Sequence, residues 1–153
     1  MNYGLKASDI AWRILEQIRR RIKDNIIATG TTASGRTQES MRIETNEEGA
    51  VLYGRENFHN LETGTPPLRA YAPANFQDII KQWISDKGIF VDDLNLASYY
   101  ISRKIITNGT MLYREGGRTD IFSNVITEEL EKARTDLKVI EKKRILDELM
   151  SIG

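Results

Sequence analysis

A repeat of isoleucines near the N-terminus constrains the fold of this 153-residue chain more than any other feature. Every fourth residue of the repeat is isoleucine, at Ile10, Ile14, Ile18, Ile22 and Ile26. Because an α-helix turns once in 3.6 residues, this spacing puts the five side chains on one face. It predicts an amphipathic helix from about Ser8 to Ala28, with Ser8 as its N-cap. At 17.5 kDa the chain has enough residues for one compact core, so we expect one domain.

A β-hairpin is predicted after this helix. Small and hydroxyl residues at positions 29–35 favour a loop, and residues 37–45 then alternate apolar with polar side chains, as Met41 and Ile43 do with Arg42 and Glu44. Residues 46–49 favour a turn, and residues 50–53 supply the return strand. All three prolines lie between residues 55 and 74, which predicts a rigid connection there.

Two further helices are predicted in the middle of the chain. The first spans about residues 75–87 and has one predicted buried face of five apolar residues, Phe76, Ile79, Ile80, Trp83 and Ile84. The second runs to about Asn108, with Asp92 or Asp93 as N-cap, and presents four residues inward: Leu94, Ala97, Ile101 and Ile105. Residues 110–126 fit either an extended or a helical conformation.

A long C-terminal helix completes the predicted fold, and its apolar stripe changes face. The first stripe consists of Ile126, Leu130, Ala133, Leu137 and Ile140, and the second of Ile145, Leu149 and Ile152. The helix therefore bends near Glu141, or its last turns contact something other than the core. We predict an α+β fold in which helices pack on a small antiparallel sheet. Residues 1–140 form its single domain, and residues 141–153 form a helical extension that contacts a partner.

The charges sum to zero, with 22 basic and 22 acidic residues, so no domain-wide positive field attracts nucleic acid or an anionic membrane. Their distribution is uneven. Residues 1–30 carry six basic and three acidic side chains, and residues 31–67 carry three and six. This opposition indicates either internal pairing or faces that meet neighbouring copies. No apolar run reaches 18 residues and no signal peptide is evident, so we expect a cytoplasmic chain without a membrane span.

Candidate chemical groups are few. The chain has no cysteine, which excludes disulfides, thiolate zinc sites and a cysteine nucleophile. His59 and Glu62 stand three residues apart, but two ligands are too few for a metal site, so a structural role is favoured. The loop of Arg114, Glu115, Gly116, Gly117 and Arg118 is either a mobile segment that contacts a partner or a plain connection. We therefore expect no catalytic residue, no metal and no cofactor, and we expect partner interfaces instead.

An ordered series of short motifs extends over about two-thirds of the chain. Its members are Ser34-Gly35-Arg36-Thr37, Leu52-Tyr53-Gly54-Arg55, Leu61-Glu62-Thr63-Gly64-Thr65-Pro66, Ile80-Lys81-Gln82-Trp83-Ile84, Arg103-Lys104-Ile105, Leu112-Tyr113-Arg114 and Gly116-Gly117-Arg118 with Asp120-Ile121-Phe122-Ser123-Asn124. In this series, residues from about 30 to 137 resemble the neck or tail-completion (head–tail joining) proteins of tailed bacteriophages. The type is lambdoid, and the most similar versions are those from phages of Bacteroidetes.

The resemblance implies an α+β structural protein of the virion that is not an enzyme. Such a protein forms a ring of six or twelve copies in the head–tail connector, or completes the tail, and contacts portal or adaptor proteins and tail proteins. It is assembled in the cytoplasm of the host bacterium, meets DNA at most transiently and binds no membrane. For this chain the candidate interface residues are Arg114, Glu115, Gly116, Gly117, Arg118, Ile145, Leu149 and Ile152.

Two other functions are weighed against this one. A DNA-binding adaptor without catalytic activity would bind DNA through the first helix, where Arg19, Arg20 and Arg21 form a basic triplet. Three consecutive residues fan around a helix, however, and do not make one concentrated patch. A hydrolase centred on His59 and Glu62 is the third function, and it lacks further ligands and a nucleophile.

Overall fold

The computed structural model describes residues 7–151 and has an α+β fold, with 63% of the residues helical and one two-stranded antiparallel sheet. The predicted fold class is confirmed. The elements follow in the order α1 Ala7–Ala28, α2 Arg36–Glu39, β1 Arg42–Thr45, β2 Ala50–Tyr53, α3 Asn60–Thr63, α4 Phe76–Asp86, α5 Leu94–Asn108, α6 Met111–Arg114 and α7 Ser123–Ser151, with a 3-10 turn at Arg69–Tyr71 between α3 and α4. None of the helices in this described range is both long enough and apolar enough to cross a membrane.

The helix predicted from the isoleucine repeat is confirmed as α1, and its apolar face forms one side of the core. Three of its isoleucines are almost completely buried and pack with the residue before β1 and with residues just before and within the first turn of α7. The cluster consists of Ile18, Ile22, Ile26, Met41, Ile121 and Val125. Burial of this face stabilises a helix that would be marginal alone in water. The helix begins at Ala7, so Ser8 lies inside its first turn and is not the N-cap.

The predicted hairpin is also confirmed, although its first strand is shorter than the sequence indicates. β1 pairs with β2 from Arg42 opposite Tyr53 to Thr45 opposite Ala50. The residues before β1 form the helical turn α2 instead of a strand. There the Ser40 backbone N–H donates to Arg36 O, and the Ser40 hydroxyl donates to Thr37 O. Short polar side chains that bond to nearby carbonyls favour such turns over strands.

α4 and α5 form a helical pair in which the predicted buried faces are only partly buried. Ile80 and Ile84 of α4 are buried, but Ile79 and Trp83 are 46% and 39% exposed. On α5 the fully buried positions are Ser98 and Ser102, whereas the predicted Leu94 is exposed. Serine can be buried here because each hydroxyl donates to a carbonyl of its own helix, to Asn95 O and to Ser98 O. Asp93 is the N-cap, since its carboxylate accepts the Leu96 N–H.

The long C-terminal helix is confirmed as α7, but its buried face differs from the predicted one. Val125 and Glu129 are buried, whereas Leu130, Leu137 and Ile140 are exposed. Contacts with α1 set this rotation: the Asn25 amide donates to the carbonyls of Asp120 and Ile121, at 2.8 and 3.1 Å.

α7 also continues through Glu141 without interruption, so the sequence-predicted change of face does not break the helix. Every residue from Arg134 to Met150 is exposed; we call residues 134–150 the distal part of α7. The division into a domain of residues 1–140 and an extension of residues 141–153 stays a prediction.

Candidate functional site

A buried carboxylate, that of Glu62, joins the middle of the chain to the start of α7. Glu62 lies in α3 and is 3% exposed. Its Oε1 atom accepts the backbone N–H groups of Ile121, Phe122 and Ser123 at 2.9, 2.6 and 2.9 Å, and its Oε2 atom accepts the Ser123 hydroxyl. The first N–H groups of a helix have no partner within it, and the positive end of the helix dipole favours an anion there. Glu62 therefore caps α7 from a segment about sixty residues away.

The backbone of the same segment holds the glycine loop. Glu62 O accepts the Arg118 N–H at 2.8 Å, and the Gly117 N–H donates to Leu112 O at 2.9 Å. Gly117 has a φ of 81°, and a Cβ atom there would lie 2.7 Å from Glu62 O. Only glycine therefore fits this position without a shift of the backbone. Beside it, the Arg118 guanidinium contacts the Asp120 carboxylate at 2.5 and 2.6 Å and holds the pKa of Asp120 below its usual value.

A second close approach links the segment after α3 to α6. The Thr65 N–H donates to the Thr110 hydroxyl, and the Thr110 N–H donates to Thr65 O, each at 2.9 Å. Gly64 has a φ of 70°, and a Cβ atom on it would lie 2.4 Å from the Tyr113 backbone nitrogen. Residues 61–65 and 109–123 thus form one connected unit, which we call the central joint.

The central joint was not foreseen from the sequence. The partners of Glu62 lie far along the chain, so no local pattern indicates the contact. Two features of the sequence are consistent with the central joint. One is a carboxylate inside an otherwise uncharged turn, and the other is the pair of glycines Gly64 and Gly117, which permit two backbone segments to approach closely. His59, the other half of the candidate pair, is exposed at the first residue before α3, while the Glu62 carboxylate points to α7. No group of three or more histidine, aspartate or glutamate side chains within residues 7–151 is placed to hold a metal ion.

The predicted interface residues fall into two separate regions. In the glycine loop, Arg114, Glu115 and Gly116 are exposed, whereas Gly117 and Arg118 are half-buried against the central joint. On distal α7, Ile145 and Leu149 are 46% and 62% exposed. Ile152 lies outside the described residues. At 1.5 Å per residue, Ile145 is about 33 Å along α7 from Ser123, so the two regions lie at opposite ends of that helix. Their role as interfaces stays a prediction.

The basic triplet of α1 is paired inside the chain. Arg19 and Arg20 donate to the Glu16 carboxylate at 2.9 Å each, and the hydrogen bond from Arg19 is the main reason that the pKa of Glu16 is lowered.

Arg21 contacts Glu128 and Glu129 of α7 at 2.7 Å each. In the described part of the chain no ion pair joins residues 7–30 to residues 31–67. The opposed charges of these two segments are therefore not explained by pairing with each other.

An apolar groove opens between α4, α5 and α6, next to the central joint. Its volume is about 710 Å³. Its apolar lining includes Phe76, Ile79, Ile80, Trp83, Ile101, Ile105, Met111 and Leu112, and its only charged lining residues are Lys104 and Arg114. We call it the α4–α6 groove. Half-exposed Ile79 and Trp83 in this groove explain why the predicted buried face of α4 is only partly buried.

Comparison with known proteins adds no relative: no model of a protein family, no curated protein and no solved structure matches this chain. The physical features that bear on function are therefore the central joint, the α4–α6 groove and distal α7. The first is internal to the chain, and the other two carry exposed apolar side chains of the kind that subunits bury in assemblies.

Proposed function

We propose that this chain is a structural protein of the head–tail connector or neck, or of the tail-completion ring, of a tailed bacteriophage, and that it joins the portal or adaptor side to the tail. The observation that carries the proposal is distal α7. Over residues 134–150 it contributes only exposed side chains, among them Ile145, Leu146, Leu149 and Met150. Distal α7 also carries many charged residues, but the exposed apolar side chains at its end would be stabilised if another molecule covered them.

The central joint gives the motif series a physical basis. Residues 61–66 and residues 116–124 both belong to the series, and Glu62 and Gly117 connect them in space. Residues that are far apart in sequence but contact one another are expected to be found together in proteins that share a fold. This supports the interpretation of the series as the signature of one fold.

A ring is the assembly that suits such a subunit. Each copy offers modest contact surfaces, and closed symmetry repeats every contact around the ring, so the contacts add up without any single one being strong. The DNA-adaptor alternative gains no support from the structure, since Arg19, Arg20 and Arg21 all contact carboxylates of the chain.

The test is made on virions. A phage that carries the gene is grown with and without a nonsense mutation in it, and particles are examined by electron microscopy and by mass spectrometry of purified virions. We expect the protein in wild-type particles, in a ring at the head–tail joint, and unjoined heads and tails in the mutant. A protein that is absent from virions and whose loss leaves particles intact would contradict the proposal.

A further inference from the structure

Two apolar surfaces in the described part of the chain have no partner within it, and their shapes are complementary. The α4–α6 groove is concave, with exposed Ile79, Trp83 and Met111 in its lining. The last two described turns of α7 are convex and carry four exposed apolar residues, Ile145, Leu146, Leu149 and Met150. At 100° per residue these four side chains occupy an arc of about 140° on one side of the helix, which is the arrangement by which a helix binds in an apolar groove.

The charges of the two surfaces are also complementary. Asp147 and Glu148 lie on either side of the apolar arc, each about 60° beyond its edge. The basic residues Lys142, Lys143 and Arg144 precede the arc, and Arg144 lies 3.9 Å from Glu148. The only charged residues that line the α4–α6 groove are basic, Lys104 and Arg114. The acidic residues beside the arc and the basic residues of the groove favour this pairing.

The groove of the same molecule is out of reach of the end of α7. The central joint places the start of α7 beside the groove, because Glu62 contacts Ser123 while Thr65, three residues on, lines the groove. α7 is one continuous helix, so Leu149, 26 residues after Ser123, lies about 39 Å away. It runs past the N-terminal half of α1, where Asp136 and Arg13 border one cleft.

We infer that the last turns of α7, residues 145–150, bind in the α4–α6 groove of a second copy of this chain. The inference rests on the proposed ring function and names the contact that would build the ring. Because the two surfaces differ, the contact is head-to-tail: each copy uses its groove for one neighbour and its helix for the other. A head-to-tail contact leads to a closed ring when the rotation between copies closes.

Complementary variants test this contact in the full-length protein. A helix variant carries Leu146→Asp and Leu149→Asp, and a groove variant carries Ile79→Asp and Met111→Asp; all four side chains are at least 46% exposed. The control, Tyr100→Asp, changes an exposed residue on α5 that does not line the groove. Sedimentation velocity over a concentration series measures assembly, and circular dichroism checks that each variant is folded.

The expected pattern is specific to a head-to-tail contact. The wild type and the Tyr100→Asp control form oligomers, whereas the helix variant and the groove variant each associate at least about tenfold more weakly. In an equimolar mixture, the groove variant supplies an intact helix end and the helix variant supplies an intact groove. The mixture therefore forms dimers that do not grow further. Oligomers of the groove variant equal to those of the wild type would overturn the inference, as would a mixture that stays monomeric or a wild type that does not associate.

Cross-linking gives an independent measurement, because the chain has no cysteine of its own. Proteins with Met111→Cys and with Leu149→Cys are mixed and treated with a short bismaleimide, and we expect a cross-linked dimer. The matched pair Tyr100→Cys with Leu149→Cys should give little cross-linked dimer. Equal yields from the two pairs would contradict binding of the helix end in the groove. Analysis of virions distinguishes the two proposals. If the protein is present at the neck but fails these tests, only the docking contact is wrong. If the protein is absent from virions but the mixture of variants dimerises, only the proposed function is wrong.

Discussion

At the scale of single residues, Glu62 links two segments that are far apart in the sequence. Buried polar groups are stable in proteins only when they are hydrogen-bonded, and Glu62 satisfies three backbone N–H groups and one hydroxyl at once. The same residue contributes its backbone carbonyl to Arg118. This residue thus holds the start of α7 through its side chain and the glycine loop through its backbone carbonyl.

Replacement of Glu62 should therefore be strongly destabilising. We expect Glu62→Ala to lower the free energy of unfolding by about 3 kcal/mol or more, because it leaves buried N–H groups unpaired. Glu62→Gln should lower the free energy of unfolding by less, since its amide oxygen still accepts hydrogen bonds from the N–H groups. Urea unfolding measures both, with the exposed Glu56→Ala as control, expected within about 0.5 kcal/mol of the wild type. Equal stability of the Glu62→Ala and Glu56→Ala proteins would show that the cap is not needed.

The two glycines of the loop offer a matched comparison. Gly116 and Gly117 both have a positive φ, of 89° and 81°, but a Cβ atom on Gly116 meets open space and one on Gly117 meets Glu62 O. We expect Gly116→Ala to cost about 1 kcal/mol, the cost of the left-handed conformation alone. Gly117→Ala should cost clearly more, because the backbone must also move. Thermal unfolding of the two variants checks this, and similar melting temperatures would contradict it.

At the scale of elements, the pairing of α1 with α7 organises the core. Apolar contacts among Ile18, Ile22, Ile121 and Val125 supply the burial, and Arg21 fixes the relative position of the two helices through Glu128 and Glu129. Glu129 is 7% exposed, and the contact with Arg21 compensates for the burial of its carboxylate. The buried face of α7 is therefore the one that α1 contacts, and it does not follow the most apolar stripe of the sequence.

Loss of Arg21 should weaken this helix pair. We expect Arg21→Ala to destabilise the fold by about 2 kcal/mol, because the Glu129 carboxylate stays buried without its partner. Arg20→Ala is the matched control: its side chain is 73% exposed, and Glu16 keeps Arg19, so the cost should be about 0.5 kcal/mol. Chemical denaturation compares the two, and equal effects would mean that Arg21 is a surface ion pair only.

The ion pair inside α1 should make stability depend on pH. The pKa of Glu16 is lowered in the folded chain from its ordinary value of 4.5, mainly by the hydrogen bond from Arg19. A lowered folded pKa adds stability above the unfolded pKa, and this stability is lost as the pH falls through the folded value. We therefore expect Glu16→Gln to reduce the loss of stability below about pH 4.5. Denaturation midpoints of both proteins between neutral and acidic pH check this, and parallel profiles would contradict it.

At the scale of the whole molecule, folding and assembly use different parts of α7. The first two turns pack in the core, whereas distal α7 is exposed throughout. A chain that ends at Ile140 should thus keep its stability within about 0.5 kcal/mol and lose self-association and incorporation into particles. Calorimetry and sedimentation measure the two properties on one sample. Assembly of the shortened chain at the wild-type level would count against a role of the helix end as an interface.

Much of the fold follows from local patterns in the sequence. The isoleucine repeat predicts α1, the alternation and turn residues predict the hairpin, and four-residue spacings predict α4, α5 and α7. These predictions succeed because helix and turn formation depend on residues within a few positions of one another. Of the proposed interface, the sequence indicates Ile145 and Leu149, because their stripe departs from the preceding one.

Tertiary structure alone decided which faces are buried and which are left exposed. Glu62 caps a helix that begins 61 residues later, and the contact between Arg21 and Glu129 spans 108 residues, so no local pattern specifies either contact. Likewise, Ile79 and Trp83 have the spacing of core residues, yet they line an open groove. The physical reason is that periodicity specifies a helix and its apolar side, whereas burial depends on where the chain places a neighbouring element. For this protein the sequence determined the four long helices, the hairpin and the neutral charge, and the packing of these elements with the short helices α3 and α6 determined which apolar surfaces stay exposed.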